Sequence, residues 1–376
     1  MASTDKTSKA KNEKTVKPSS PKKNKASAPR KSPKGKKGGS PSRRWARIAA
    51  LVIPAVVLAL CIGGNVFVHH PPQWVKDHHS LLTAPLEYFG NRTALLTDAL
   101  GWTGHDAVYG GGSDFDEPPP SGQVFFAGEP ERRGNPAPRD IVTLDRGEFM
   151  VGWSPSLQHP VWAAYHVPRD ARFDGNGKRP GFRKDPSVAR SPAPGNYESA
   201  KHYNRGHMVP NRAIVTRFGP DFQKKTFLMT NIAPQTPALN CGPWREMEQH
   251  IADLWAPKYG ELWVIVGTIS NPDPKARKIL EGTQIDIPEK YYMIVVGQDD
   301  DGIRALALLF DHEQTGKNDF PVYNIVTLAE LEAAAGIDFF PDMPKFLKKP
   351  LYVDRPTRLW PCRFSDLFKL IMIRFT

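Results

Sequence analysis

The sequence predicts an α+β fold, and three observations carry the prediction. Five short apolar or β-rich runs lie between turn residues, two stretches repeat their apolar residues at helical spacing, and the two kinds of element do not alternate as regular βαβ units. Strands are expected at residues 161–167 (VWAAYHV), 227–233 (FLMTNIA), 262–268 (LWVIVGT), 291–297 (YYMIVVG) and 303–310 (IRALALLF). The first helix is expected over 244–255, where Trp244, Met247, Ile251, Leu254 and Trp255 fall on one face. A second is expected over 328–335, opened by Thr327 as N-cap and stopped by Gly336.

Ahead of these elements the composition changes twice. Residues 1–47 hold 16 Lys and Arg against Asp5 and Glu13, whereas the rest of the chain holds 35 basic and 37 acidic residues, so the net charge of +12 belongs to the tail. That tail is rich in Lys, Ser, Pro and Gly and nearly free of apolar side chains, so it cannot offset chain entropy and is expected to be disordered. Its charge reads first as a solvated topology signal and second as a contact for anionic lipid or nucleic acid.

Residues 48–68 (IAALVIPAVVLALCIGGNVFV) are uncharged and long enough for one transmembrane helix. Arg43, Arg44 and Arg47 precede it, which places the N-terminus in the cytoplasm and everything after His69 on the far side. No small-x-small site follows the run, which favours an uncleaved anchor over a signal peptide. Residues 69–139 then read as a juxtamembrane connector, 140–350 as the folded domain and 351–376 as a C-terminal extension. Outside the apolar run the cysteines are Cys241 and Cys362, expected as free thiols or, in an oxidising compartment, as a pair.

The chemistry concentrates between Tyr203 and Glu248, in YNRGHMVPNRA and FLMTNIAPQTPALNCGPWREME. His207 stands beside what reads as a tight Arg-Gly turn, Asn240 just before an amphipathic helix, and Glu248 on that helix. These residue types supply a general base, a neutral oxygen ligand for a hard cation and a carboxylate to orient water on that cation. Other chemistries lack their residues: no Cys/His spacing suits zinc, YGGGSD lacks the lysine of a phosphate-binding loop, and no serine-hydrolase elbow occurs.

NRGH followed by NIAPQ, LNCGPW and a downstream glutamate, in this order and spacing, resembles the DNA/RNA non-specific endonuclease family, the ββα-metal nucleases related to mitochondrial endonuclease G. The likeness runs over roughly residues 140–345, from PVWAAYHV and GKRPGFRKDPSV to TLAELEAAAGIDFF. It implies a ββα-metal nuclease fold with a mixed or antiparallel sheet core. It also implies a Mg²⁺-dependent endonuclease, with Mn²⁺ a possible substitute, that cuts DNA and RNA to 5′-phosphate products. On that pattern His207 is the general base, Asn240 the single direct ligand to Mg²⁺, and Glu248 the carboxylate that holds the ion's waters. Arg179, in GKRPGF, is the candidate contact to the scissile phosphate, and Arg205 positions phosphate or braces the tetrapeptide. Asn231 and Gln235 are expected to scaffold the site, Trp244 to be core, and His166, His202 and His250 to be structural.

One position departs from the pattern. The family usually has aspartate where this chain has Asn204, which keeps an acceptor oxygen and loses a charge. A catalytically impaired, nucleic-acid-binding membrane protein is therefore the alternative reading. DNA and RNA are the expected partners, gripped through phosphate by a local basic groove built from Arg179, Arg183, Lys184, Arg205 and Arg212. The expected place is a bacterial inner membrane with the nuclease domain in the periplasm, with the mitochondrial inner membrane as alternative.

Overall fold

The computed structural model describes residues 108–109, 123–198, 202–299, 302–314, 319–362 and 366; the basic tail, the apolar run at 48–68 and most of the expected connector lie outside these. Among the described residues no helix is long and apolar enough to cross a membrane.

The strands are β1 (Val108–Tyr109), β2 (Glu131–Arg132), β3 (Val142–Asp145), β4 (Phe149–Ser154), β5 (His159–Val167), β6 (Asn204–His207), β7 (Ile232–Gln235), β8 (Leu262–Ile269), β9 (Lys278–Ile279), β10 (Asp286–Ile287), β11 (Lys290–Asp299), β12 (Gly302–Asp311), β13 (Ile325–Val326) and β14 (Ile337–Asp338). The α-helices are α1 (Asn211–Phe218), α2 (Pro220–Thr226), α3 (Pro237–Cys241), α4 (Pro243–Gln249), α5 (Ala256–Tyr259), α6 (Leu328–Ala335) and α7 (Lys345–Val353). The main sheet runs β1-β12-β11-β8-β5-β4-β3 with β13 against β12, and every neighbouring pair is antiparallel.

The central strands read as unbroken apolar runs because both faces of the sheet are covered. Ala163, Tyr165, Val264, Val266, Met293 and Val295 join one core cluster with Ile214 of α1 and Met247 of α4. Their strand neighbours Trp162, Ala164, Trp263, Ile265, Ile294 and Val296 join the other, with Leu331 of α6 and Leu351 of α7. Alternate residues thus point to opposite layers, and each large side chain buried this way contributes about 1.5–3 kcal/mol.

The helix expected at 328–335 forms as read. Thr327 Oγ1 accepts from the Glu330 N–H at 3.1 Å, Glu330 Oε2 accepts from the Thr327 N–H at 2.8 Å, and Gly336 closes the helix at φ 66°. The helix expected at 244–255 is a longer helical run with a π-helical segment, His250–Trp255, between α4 and α5. That segment precedes Pro257, whose missing N–H interrupts the regular ladder. The run 227–233 is not one strand. Met229–Asn231 forms a 3-10 turn, and only Ile232–Gln235 is extended, because Asn231 takes over backbone partners: its Oδ1 accepts from Val209 N–H at 2.9 Å, and its Nδ2 donates to the Val209 and Thr226 carbonyls at 3.0 and 2.9 Å.

The packed body reaches past the bounds expected at 140 and 350. Val124, Phe126 and Ala127 are buried against the sheet, and β2 pairs with β14. At the other end Trp360 is fully buried, its ring 5.1 Å from that of Trp255, whose Nε1 donates to the Trp360 carbonyl at 3.0 Å. Cys241 and Cys362 are free thiols, the first exposed and the second buried, where burial pushes the thiol up to about 12.

Candidate active site

β6 and β7 form a separate two-stranded antiparallel ladder that pairs Asn204 with Gln235 and His207 with Ile232. The NRGH tetrapeptide is therefore strand throughout, and the expected Arg-Gly turn is absent. Gly206 makes room for a neighbour: the Gln235 side chain lies across it, and a Cβ there would stand 2.0 Å from Gln235 Oε1 and force that side chain to move. Strand alternation sends Arg205 and His207 to one face, where both meet Phe182. The Arg205 guanidinium carbon lies 5.1 Å from that ring's centroid and the His207 ring 5.3 Å from it. Phe227 closes His207 from another side, edge-on at 4.9 Å and 80°.

His207 is 9% exposed, and its Nε2 has no hydrogen-bond partner among the described residues. Burial, aided by the Arg179 charge, lowers its pKa to about 3, so the ring is neutral. Arg179 is exposed, with its guanidinium carbon 5.3 Å above the Phe227 ring. The same arginine acts on Glu248, on α4. Burial raises that carboxyl to about 8, opposed by the Trp244 hydrogen bond to Oε1 at 3.0 Å and by Arg179 and Arg245. His207, Arg179 and Glu248 thus share one electrostatic neighbourhood.

Asn240 lies on α3, which follows β7 directly and precedes α4. Thr236 caps that helix, its Oγ1 accepting from the Leu239 N–H at 3.4 Å, which sets the angle between β7 and α3. The Nδ2 atoms of Asn240 and Asn204 donate to Cys241 Sγ at 3.8 and 3.7 Å, so the two amide nitrogens stand no more than 7.5 Å apart. Asn204 lies three residues before His207 on β6, about 10 Å at the ~3.3 Å rise of a strand residue. Asn240 Oδ1 accepts no hydrogen bond among the described residues.

The chain offers here an amide oxygen on Asn240, the half-buried carboxyl of Glu248 and an imidazole nitrogen without a partner among the described residues. No group of three or more His, Cys, Asp or Glu that could hold a metal occurs among the described residues. These donors fit a hydrated hard cation held by few protein oxygens, and not a zinc cage.

Residues 127–346 match the sequence profile described as DNA/RNA non-specific endonuclease. The chain belongs to the DNA/RNA non-specific endonuclease family. It is similar to "Nuclease EXOG, mitochondrial" of Xenopus laevis, 27% identical over 243 residues, which are 58% of this chain and 63% of that protein, so the match spans a little under two thirds of that relative. The "Nuclease" of Nostoc sp. is 28% identical over 213 residues, 53% of this chain and 73% of that protein. Human "Endonuclease G, mitochondrial" is 22% identical over 208 residues, 53% of this chain and 69% of that protein.

Within this endonuclease-family domain not every basic residue named for the groove is free. The Arg212 Nε donates to both carboxylate oxygens of Asp253, at 2.8 and 3.1 Å, and an Arg183 nitrogen reaches the Lys224 carbonyl at 3.5 Å. Arg179 and Arg205 stand over the Phe227 and Phe182 rings that flank His207. His166 faces Glu261 at 3.3 Å, and His250 is buried with its pKa lowered to about 4. Both have structural surroundings. Sequence reasoning missed Phe182, Phe227 and the Cys241 sulfur; an aromatic set among the charges of GKRPGFRKD was the one visible signal for Phe182.

Proposed function

We propose that this protein hydrolyses phosphodiester bonds of DNA and RNA with Mg²⁺ as its metal, leaving 5′-phosphates, and that Mn²⁺ can substitute. The observation that carries this reading is the neutral, orphaned His207 beside Arg179 and Glu248 in a family-matched site. His207, neutral in the folded chain, takes the proton from the attacking water. Arg179, exposed at the mouth of the site, grips the scissile phosphate through its planar fork. The incoming negative charge offsets the arginine's effect on the imidazole, so His207 gains basicity when substrate binds. Asn240 Oδ1 would hold the cation directly, and Glu248 would hold its water shell. A divalent ion there supplies stabilisation of the charge that builds on the phosphate and the departing oxygen. Contacts to phosphate and sugar carry no base information, which accounts for cleavage without sequence preference.

The uncharged run at 48–68, with Arg43, Arg44 and Arg47 before it, supports a single membrane anchor with the domain outside the cytoplasm. A bacterial inner membrane is the first setting, and the mitochondrial names of two relatives keep the second in play. Titrating Mg²⁺ and Mn²⁺ into the purified full chain with single-stranded DNA, duplex DNA and RNA tests the reading. Cleavage of all three that EDTA abolishes is expected. Retention of DNA without cleavage under any divalent ion would favour the binding-only alternative raised by Asn204.

A further inference from the structure

Trp244 sits on α4 at a core position, and the structure buries it to 1% exposure. Its ring packs edge-on against Tyr291 of β11 and Phe310 of β12, with centroids 5.7 and 5.8 Å away. An indole carries one polar atom, an N–H that can only donate. Here it donates to Oε1 of Glu248 at 3.0 Å, one helical turn further on. The i,i+4 spacing stacks the two side chains on one helix face. A glutamate on its own is a flexible arm, but this one is caught at one oxygen by a ring that the main sheet itself holds still. The bond is also charge-assisted whenever the carboxylate is ionised.

We propose that Trp244 is a positioning residue whose indole N–H fixes Glu248 by Oε1 and leaves Oε2 turned toward the water shell of the cation. The inference rests on the reading of Glu248 given above. It makes the packed sheet, through Tyr291 and Phe310, the support of a carboxylate in the site. Metal-site partners one step removed from the ligands commonly change affinity or activity about 10–100-fold when lost.

The test uses the full chain labelled with ¹⁵N-tryptophan, whose nine tryptophans give nine indole signals. Trp244→Phe keeps an aromatic ring and removes the donor, so the signal missing from that variant belongs to Trp244. In the otherwise native chain above about pH 8, where the Glu248 carboxyl is ionised, it is expected at the low-field end, moving upfield in Glu248→Gln more than any other indole signal. An unmoved signal overturns the contact. The Mg²⁺ concentration for half-maximal nicking is expected to rise about 10–100-fold in W244F, with KM for DNA unchanged and with no further rise when W244F is added to E248Q. A W244F loss of the same size in the E248Q background would mark a merely structural role and overturn the proposal. If E248Q moves the indole signal but leaves the Mg²⁺ requirement alone, the reading of Glu248 fails and the positioning role fails with it, while the contact stands.

Discussion

At the scale of single residues the candidate base is the group kept from water. His207 has a folded-state pKa of about 3, below its ordinary value. An unfolded histidine binds a proton below about pH 6.5 that the folded ring refuses, so stability falls as pH drops from there toward about 3, by about 1.4 kcal/mol per pH unit inside the window. His250, lowered to about 4 by burial, adds the same sign over a shorter window. Urea unfolding between about pH 7 and about pH 5 should therefore show a shallower loss for His207→Gln than for the native chain. Parallel losses would contradict the buried, neutral ring. His207, Asn240 and Glu248 could be named as candidates because the tetrapeptide and the asparagine segment carry their residue types in local spacing. Phe182 and Phe227 could not, because their contact with His207 is made by segments that meet only in the folded chain.

At the scale of elements, legibility follows how local the signals are. α6 was readable to the residue because its Thr327–Glu330 capping box and its left-handed Gly336 lie within the helix's own ends. Thr327→Ala removes the acceptor for the Glu330 N–H and should lower stability by about 1 kcal/mol in urea unfolding, with nicking unchanged. A neutral result would place the stability of α6 wholly in its packing. The run 227–233 misled because its apolar pattern suits a strand, while the Asn231 amide supplies the partners that a strand would have drawn from a neighbour. The π-helical segment has no sequence marker beyond Pro257, since its apolar residues are spaced as an α-helix would space them.

For the whole molecule, among the described residues, an antiparallel sheet covered on both faces is the platform, and the β6–β7 ladder with α3 and α4, packed on one side of it, carries the candidate site. The outer bounds of this body were hidden by composition: the Gly- and Pro-rich approach to β2 reads as linker, and the segment carrying Trp360 reads as an extension. Trp360→Ala opens a large cavity beside Trp255 and should cost about 3–5 kcal/mol, read as a lower thermal midpoint. A midpoint within experimental error of the native one would show that the segment does not belong to the core. The central claim, however, is that His207 and Asn240 serve one phosphorus atom. Nicking rates of His207→Ala, Asn240→Ala and the double variant at saturating Mg²⁺ test it most directly. Each single change should lower the rate by about 10²–10⁴ and the double should fall no further than the worse single, because groups that act as a unit do not add. Losses that multiply in the double variant, or a single variant with native turnover, would contradict the account.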